Sequence, residues 1–145
     1  MKNINKVAGI FFVMFISLLA FSFKGDSAIN FSEKSWKEVV KEAEAGNKLI
    51  FVYVSMKGCH TCVELQKSMQ HEEVGTLFNS KFINVHLDGS KTVNTMRASK
   101  WGVAQVPALV FLNGKNVVVH KIEGFQSPED MIAQAQTALE KAGKQ

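Results

Sequence analysis

Cys59-His60-Thr61-Cys62 brings the only two cysteines of the chain within two residues of each other. They follow an apolar run, Leu49 to Val54, and stand at the head of a helix-like stretch, Val63 to Met69. A strand that feeds a Cys-x-x-Cys opening a helix is the arrangement of a thiol–disulfide redox site. A helix N-terminus offers unpaired N–H groups and a partial positive charge. Both favour a thiolate on the first cysteine, and the thiolate is the species that attacks disulfides. Cys59 is thus expected to attack, and Cys62, one turn in, to resolve the mixed disulfide.

The neighbours of the pair refine this chemistry. An imidazole at His60 that carries a charge or a hydrogen bond to Cys59 would stabilise the thiolate and make the disulfide more oxidising. The competing role for His60 is a solvated loop histidine. Pro107 follows Val106 at the start of a second apolar run, where a proline is awkward unless its peptide bond is cis. Backbone there could pair with an extended substrate peptide beside Cys59. Met56, Gly58 and Val106 are the expected substrate-contact positions, with Met56 either a soft apolar contact or a residue packed under the loop. His71, His86 and His120 do not cluster in the sequence and are read as surface or core residues, and Trp36 and Trp101 as packing residues.

The elements that must hold these residues follow from periodicity. Ile29-Asn30-Phe31 has the length of a short first strand. Ser32 is the expected cap of a helix in which Trp36, Val39, Val40 and Ala43 share a face as far as Gly46. Lys48 to Val54 reads as a buried strand. A helix runs from the cysteines to about Gln70, and a short helical turn from Glu72 to Asn79. Phe82 to Leu87 is another strand, and Thr92 to Trp101 another helix, stopped by Gly102. Ala108–Leu112 and Asn116–Ile122 flank Asn113-Gly114, a hairpin signal. Ser127-Pro128-Glu129-Asp130 is a cap, a first-turn proline and an acidic first turn, opening a helix to about Ala142. Alternation ending in a hairpin implies an α/β fold, a mixed sheet with helices on both faces.

The N-terminus carries a different message. Lys2 and Lys6 precede an apolar stretch from Val7 to Phe23, and Ala20-Phe21-Ser22 supplies small residues for cleavage after Ser22. Residues 1–22 read as an export signal, leaving residues 23–145 as one domain. The alternative is an uncleaved anchor, since residues 7–23 lie at the short edge of a membrane span. The 145-residue chain has 17 basic and 13 acidic residues, a net charge of +4. Without Lys2 and Lys6 the basic residues number 15 against 13, so the net charge falls to +2. The remaining lysines are interleaved with acids and form no basic stripe, which argues against nucleic acid as a partner. Outside the cytosol a disulfide persists. A loop this small removes little unfolded-state entropy, so redox chemistry explains the pair better than stapling does.

With these residues in place, the chain resembles the thioredoxin superfamily from about Ile29 to Ala142. Lys48 to Tyr53 stands where that family has its central strand. Trp101-Gly102-Val103-Ala104-Gln105-Val106-Pro107-Ala108 resembles the segment that leads to its cis-proline. Asn113-Gly114-Lys115 and Gly124 fall at its hairpin turn and its post-strand glycine. Trp36 with its helix, and Glu73-Val74 followed by Phe82, are similar to shorter exported bacterial members. The resemblance implies a thioredoxin fold and a monomer that exchanges disulfides with protein thiols and with a separate redox partner, without a cofactor. Three positions depart from the pattern: Gly58 replaces an aromatic residue, Tyr53 replaces a buried aspartate, and the spacer is His-Thr. Tyr53 is too weak an acid to serve as a base near neutral pH, so proton removal from Cys62 must use another group or water.

Two other classes compete with redox exchange. Cys59 and Cys62 could grip a soft ion such as Cu(I), with His60 assisting. The pair could also be a resting disulfide in a folded binding module. Structural zinc is disfavoured because no second Cys pair exists, and covalent haem because Val63 stands where a histidine is needed.

Overall fold

The structure, a computed structural model, describes residues 28–143. The expected export signal lies outside these residues. Helix α1 (Trp36–Gly46) precedes strand β1 (Leu49–Ser55); α2 (His60–Ser68) and α3 (Glu72–Lys81) lead to β2 (Phe82–Asp88). Helix α4 (Thr92–Lys100) is followed by β3 (Ala108–Leu112), β4 (Val118–Glu123) and α5 (Pro128–Ala142). The sheet order is β2-β1-β3-β4, with β1 parallel to β2 and antiparallel to β3, and β3 antiparallel to β4.

Every residue of β1 is buried, as an apolar central strand covered on both faces requires. Its side chains alternate between two cores. Phe51 and Tyr53 face α2, α3 and α5, packing with Leu65, Phe78 and Met131. Ile50, Val52 and Val54 face α1 and α4, packing with Val39, Ala43, Ala98 and Trp101. In the first core the Phe51 and Phe78 rings meet edge to face at 4.7 Å. Phe51 is fully buried, so its truncation to alanine would cost on the order of 3–5 kcal/mol.

Several boundaries differ from the sequence-based expectation. Ile29–Phe31 forms no strand. It runs beside the sheet, held by the Ile29 N–H on the Met69 carbonyl and by the Asn30 N–H on Asn79 Oδ1. Ser32 does not cap α1: the helix begins only at Trp36, the Ser32 N–H goes to the Asn84 carbonyl, and the Ser32 hydroxyl accepts the Lys34 N–H ahead of the helix. The cap is Ser35, whose hydroxyl accepts the Glu38 N–H while the Glu38 carboxylate accepts the Ser35 N–H. The segment after α2 is a full helix of 10 residues rather than a turn. The hairpin loop is wider than a two-residue Asn-Gly turn: Asn113 Oδ1 accepts the N–H groups of Lys115 and Val117, and the left-handed residue is Asn116. Gly114 serves close approach instead, since a Cβ there would lie 2.7 Å from Glu44 Cα at the end of α1.

Candidate active site

Strand β1 ends at Ser55, and four residues carry the chain to Cys59, the N-cap of α2. Gly58 has φ +81°, a left-handed conformation that side-chain-bearing residues adopt only with strain. This accounts locally for glycine where the resembled family has an aromatic residue. Cys59 and Cys62 are joined by a disulfide. Cys59 Sγ accepts the Cys62 backbone N–H at 3.1 Å, taking up one of the unpaired donors of the helix terminus. Cys59 is partly exposed, whereas Cys62 is buried at 3 % exposure. The outer sulfur is therefore the one that a second protein can reach.

Beneath the pair lies Tyr53, 1 % exposed, whose hydroxyl donates to the Cys62 carbonyl at 3.1 Å. Burial pushes its phenol above the ordinary tyrosine range, against the opposing pull of polar contacts with Ser55 and Gln66. Tyr53 is thus protonated at any physiological pH and serves as a hydrogen-bond donor.

A cleft beside the disulfide is lined by Ser55, Met56, Gly58, Cys59, His60, Cys62, Gln66, His86 and Asp88, among others. His60 is exposed on the first turn of α2. His86, read from the sequence as a surface or core residue, is exposed on β2 and borders this cleft. The parallel register sets it directly opposite Tyr53, with the two rings stacked at 5.0 Å and Phe31 closing on them at 5.8 Å. His86 Nε2 lies 2.7 Å from Ser55 Oγ. Burial against these rings holds the imidazole below the ordinary histidine range, more than the Asp88 carboxylate raises it.

On the other side of Met56 is a second, apolar cleft, lined by Val54, Met56, Ala98, Val103 and Val106. Met56 is 44 % exposed and borders both clefts, so it does not pack under the loop. The Val106–Pro107 peptide is cis, and Val106 and Cys59 both flank the first core cluster. The loop that carries Pro107 is tied to the end of β4. Glu123 Oε1 accepts the Ala104 N–H at 3.0 Å and the Lys121 ammonium at 3.0 Å, Lys121 also donates to the Gly102 carbonyl, and the Gly124 N–H binds the Pro107 carbonyl at 2.8 Å. These two bonds from Ala104 and Lys121 hold the Glu123 carboxyl below the usual carboxylate range, the Ala104 N–H most strongly. No sequence pattern pointed to Glu123 or Ser55. Trp36 and Trp101 pack together at 5.3 Å, away from the pair, with the Arg97 guanidinium over Trp36.

A buried four-stranded mixed sheet, helices on both faces, and a disulfide at the N-cap of the helix that follows the central strand define a thioredoxin-fold protein. The chain belongs to the thioredoxin-like domain family, whose model matches residues 36–139. It is similar to a candidate disulphide-isomerase from Bacteroides thetaiotaomicron, at 30% identity over 79% of this chain and 95% of that one, with a TM-score of 0.69. A thioredoxin from Thermus thermophilus shares the fold at 18% identity, covering 81% of this chain and 91% of its own, with a TM-score of 0.68. A DsbH oxidoreductase does so at 17% identity, 79% and 88% coverage and a TM-score of 0.65. None of the curated proteins matches the sequence.

Proposed function

We propose that this protein is an exported thiol–disulfide oxidoreductase acting on protein substrates. The observation that carries the reading is Cys59 Sγ at the N-cap of α2, partly exposed and already accepting the Cys62 N–H, while Cys62 is buried behind it. In the reduced protein that N–H and the helix terminus stabilise a thiolate on Cys59. The thiolate attacks a substrate disulfide, one substrate sulfur leaves as a thiolate, and a Cys59–substrate disulfide forms. The Cys62 thiol then loses its proton and attacks Cys59 Sγ, releasing the second substrate thiolate and closing Cys59–Cys62. Reversed, the same steps pass a disulfide to a dithiol substrate.

His60, one residue from the attacking sulfur, tunes the Cys59 thiolate. Val106, Met56 and Gly58 meet an extended substrate segment, with backbone beside Pro107 available for strand-like pairing. The protein works as a monomer without a cofactor, its pair reset by a separate redox partner. Residues 1–22 direct export, and the mature protein begins near Phe23. The experiment is to mix the reduced, anaerobically purified protein with an unfolded protein carrying one disulfide. One substrate disulfide reduced per Cys59–Cys62 disulfide formed supports oxidoreductase chemistry. A stoichiometric soft metal on the purified protein with no exchange would support metal handling by the same pair instead.

A further inference from the structure

Resolution of the mixed disulfide needs a base for the Cys62 thiol, whose ordinary pKa of about 8.5 leaves it mostly protonated near neutral pH. The strand position beneath the pair supplies none, because Tyr53 donates its proton to the Cys62 carbonyl. A different side chain borders the same cleft. We infer that His86, acting through the Ser55 hydroxyl, is the proton acceptor for Cys62 in disulfide exchange; this rests on the oxidoreductase reading above.

Three observations meet at this residue. His86 and Cys62 line one cleft together with Ser55, the last residue of β1, whose hydroxyl meets the ring. The 2.7 Å contact lets a neutral imidazole accept the Ser55 hydroxyl proton at Nε2. Stacking on Tyr53 at 5.0 Å, with Phe31 behind, fixes the ring in that orientation. The packing of the two rings lowers the imidazole's pKa, while its other side stays open to solvent. In the step, Ser55 Oγ takes the Cys62 thiol proton as its own passes to His86 Nε2, and the Cys62 thiolate attacks Cys59 Sγ. The substrate thiolate departs with the bond's electron pair, and the imidazolium then gives its proton back to it or to solvent. No external oxidant or reductant enters. The titratable and charged groups around the ring are Asp88 on β2, Tyr53 on β1, and Lys57, His60 and Cys62 across the cleft.

The test uses the full chain and 5-thio-2-nitrobenzoate as the leaving group. The Cys59 mixed disulfide is loaded at acid pH and jumped to a series of higher pH values, and the unimolecular release of the aromatic thiolate is followed by absorbance. In the wild type the rate should hold through neutral pH and fall only at a pH below the ordinary imidazole value of about 6.5, through the titration of His86. His86→Gln, which keeps a polar partner for Ser55 but cannot titrate, should release at least about tenfold more slowly at neutral pH. Its rate should follow the Cys62 thiolate alone, falling about tenfold per pH unit below the thiol pKa, and meet the wild type above it. Ser55→Ala should behave likewise, and in both variants the initial attack of Cys59 on the reagent should stay within about twofold. Wild-type release rates and profiles in either variant would overturn the inference, as would slowing by one constant factor at every pH. Failure of the oxidoreductase reading looks different: Cys62→Ser would then release the thiolate as fast as the wild type.

Discussion

Tyr53 Oη donates to the Cys62 carbonyl from within the core, so the strand that delivers the cysteines also fastens the first turn of the helix that carries them. Tyr53→Phe keeps the ring and deletes this bond. We expect a loss of about 1 kcal/mol of stability, read from the denaturant midpoint. The rate at which Cys59 attacks a small disulfide should stay within about twofold.

Glu123 plays a comparable part for the loop that leads to Pro107, through the Ala104 N–H and the Lys121 ammonium. Glu123→Gln weakens both bonds without emptying the space. The loop lines the apolar cleft through Ala104, Gln105 and Val106. KM for a protein disulfide should therefore rise severalfold, while attack on a small aromatic disulfide changes little. Steady-state kinetics with the two substrates separate these effects.

Acid should weaken the fold through His86. Its pKa is lower in the folded protein than in the unfolded chain, so below about pH 6.5 the unfolded chain binds the extra proton first. The stability that neutral His86 contributes is complete above that pH and is lost as pH falls toward the folded-state pKa. Asp88, Glu64, Glu38 and Glu123 are held below their ordinary range, so their contributions fade only at lower pH. Denaturant titrations between about pH 7 and pH 5.5 should show wild-type stability falling and a flatter curve for His86→Gln.

The residues that read correctly from the sequence are those whose signals are local. The unbroken apolar run Leu49–Val54 announces a doubly covered strand, and Cys59 can be placed at a helix start because the helical pattern begins right after it. Ser35-x-x-Glu38 was equally local, a capping box, yet Ser32 was the more prominent serine beside an apolar run; the Asn84 carbonyl that claims the Ser32 N–H is 52 positions away. His86 was illegible for the same kind of reason. Its place opposite Tyr53 depends on the register of two parallel strands joined through α2 and α3, and nothing in the residues around it encodes that register. Glu123 likewise meets Ala104 only because β4 ends beside the loop before β3.

The central claim is that Cys59 attacks and Cys62 resolves. Its most direct measurement is trapping: Cys59→Ser and Cys62→Ser proteins, each exposed to a disulfide-bearing protein substrate, are resolved by non-reducing electrophoresis and mass spectrometry. The partly exposed, helix-capping sulfur of Cys59 predicts a stable mixed disulfide with Cys62→Ser and no adduct with Cys59→Ser. An adduct with Cys59→Ser and none with Cys62→Ser would contradict the assignment.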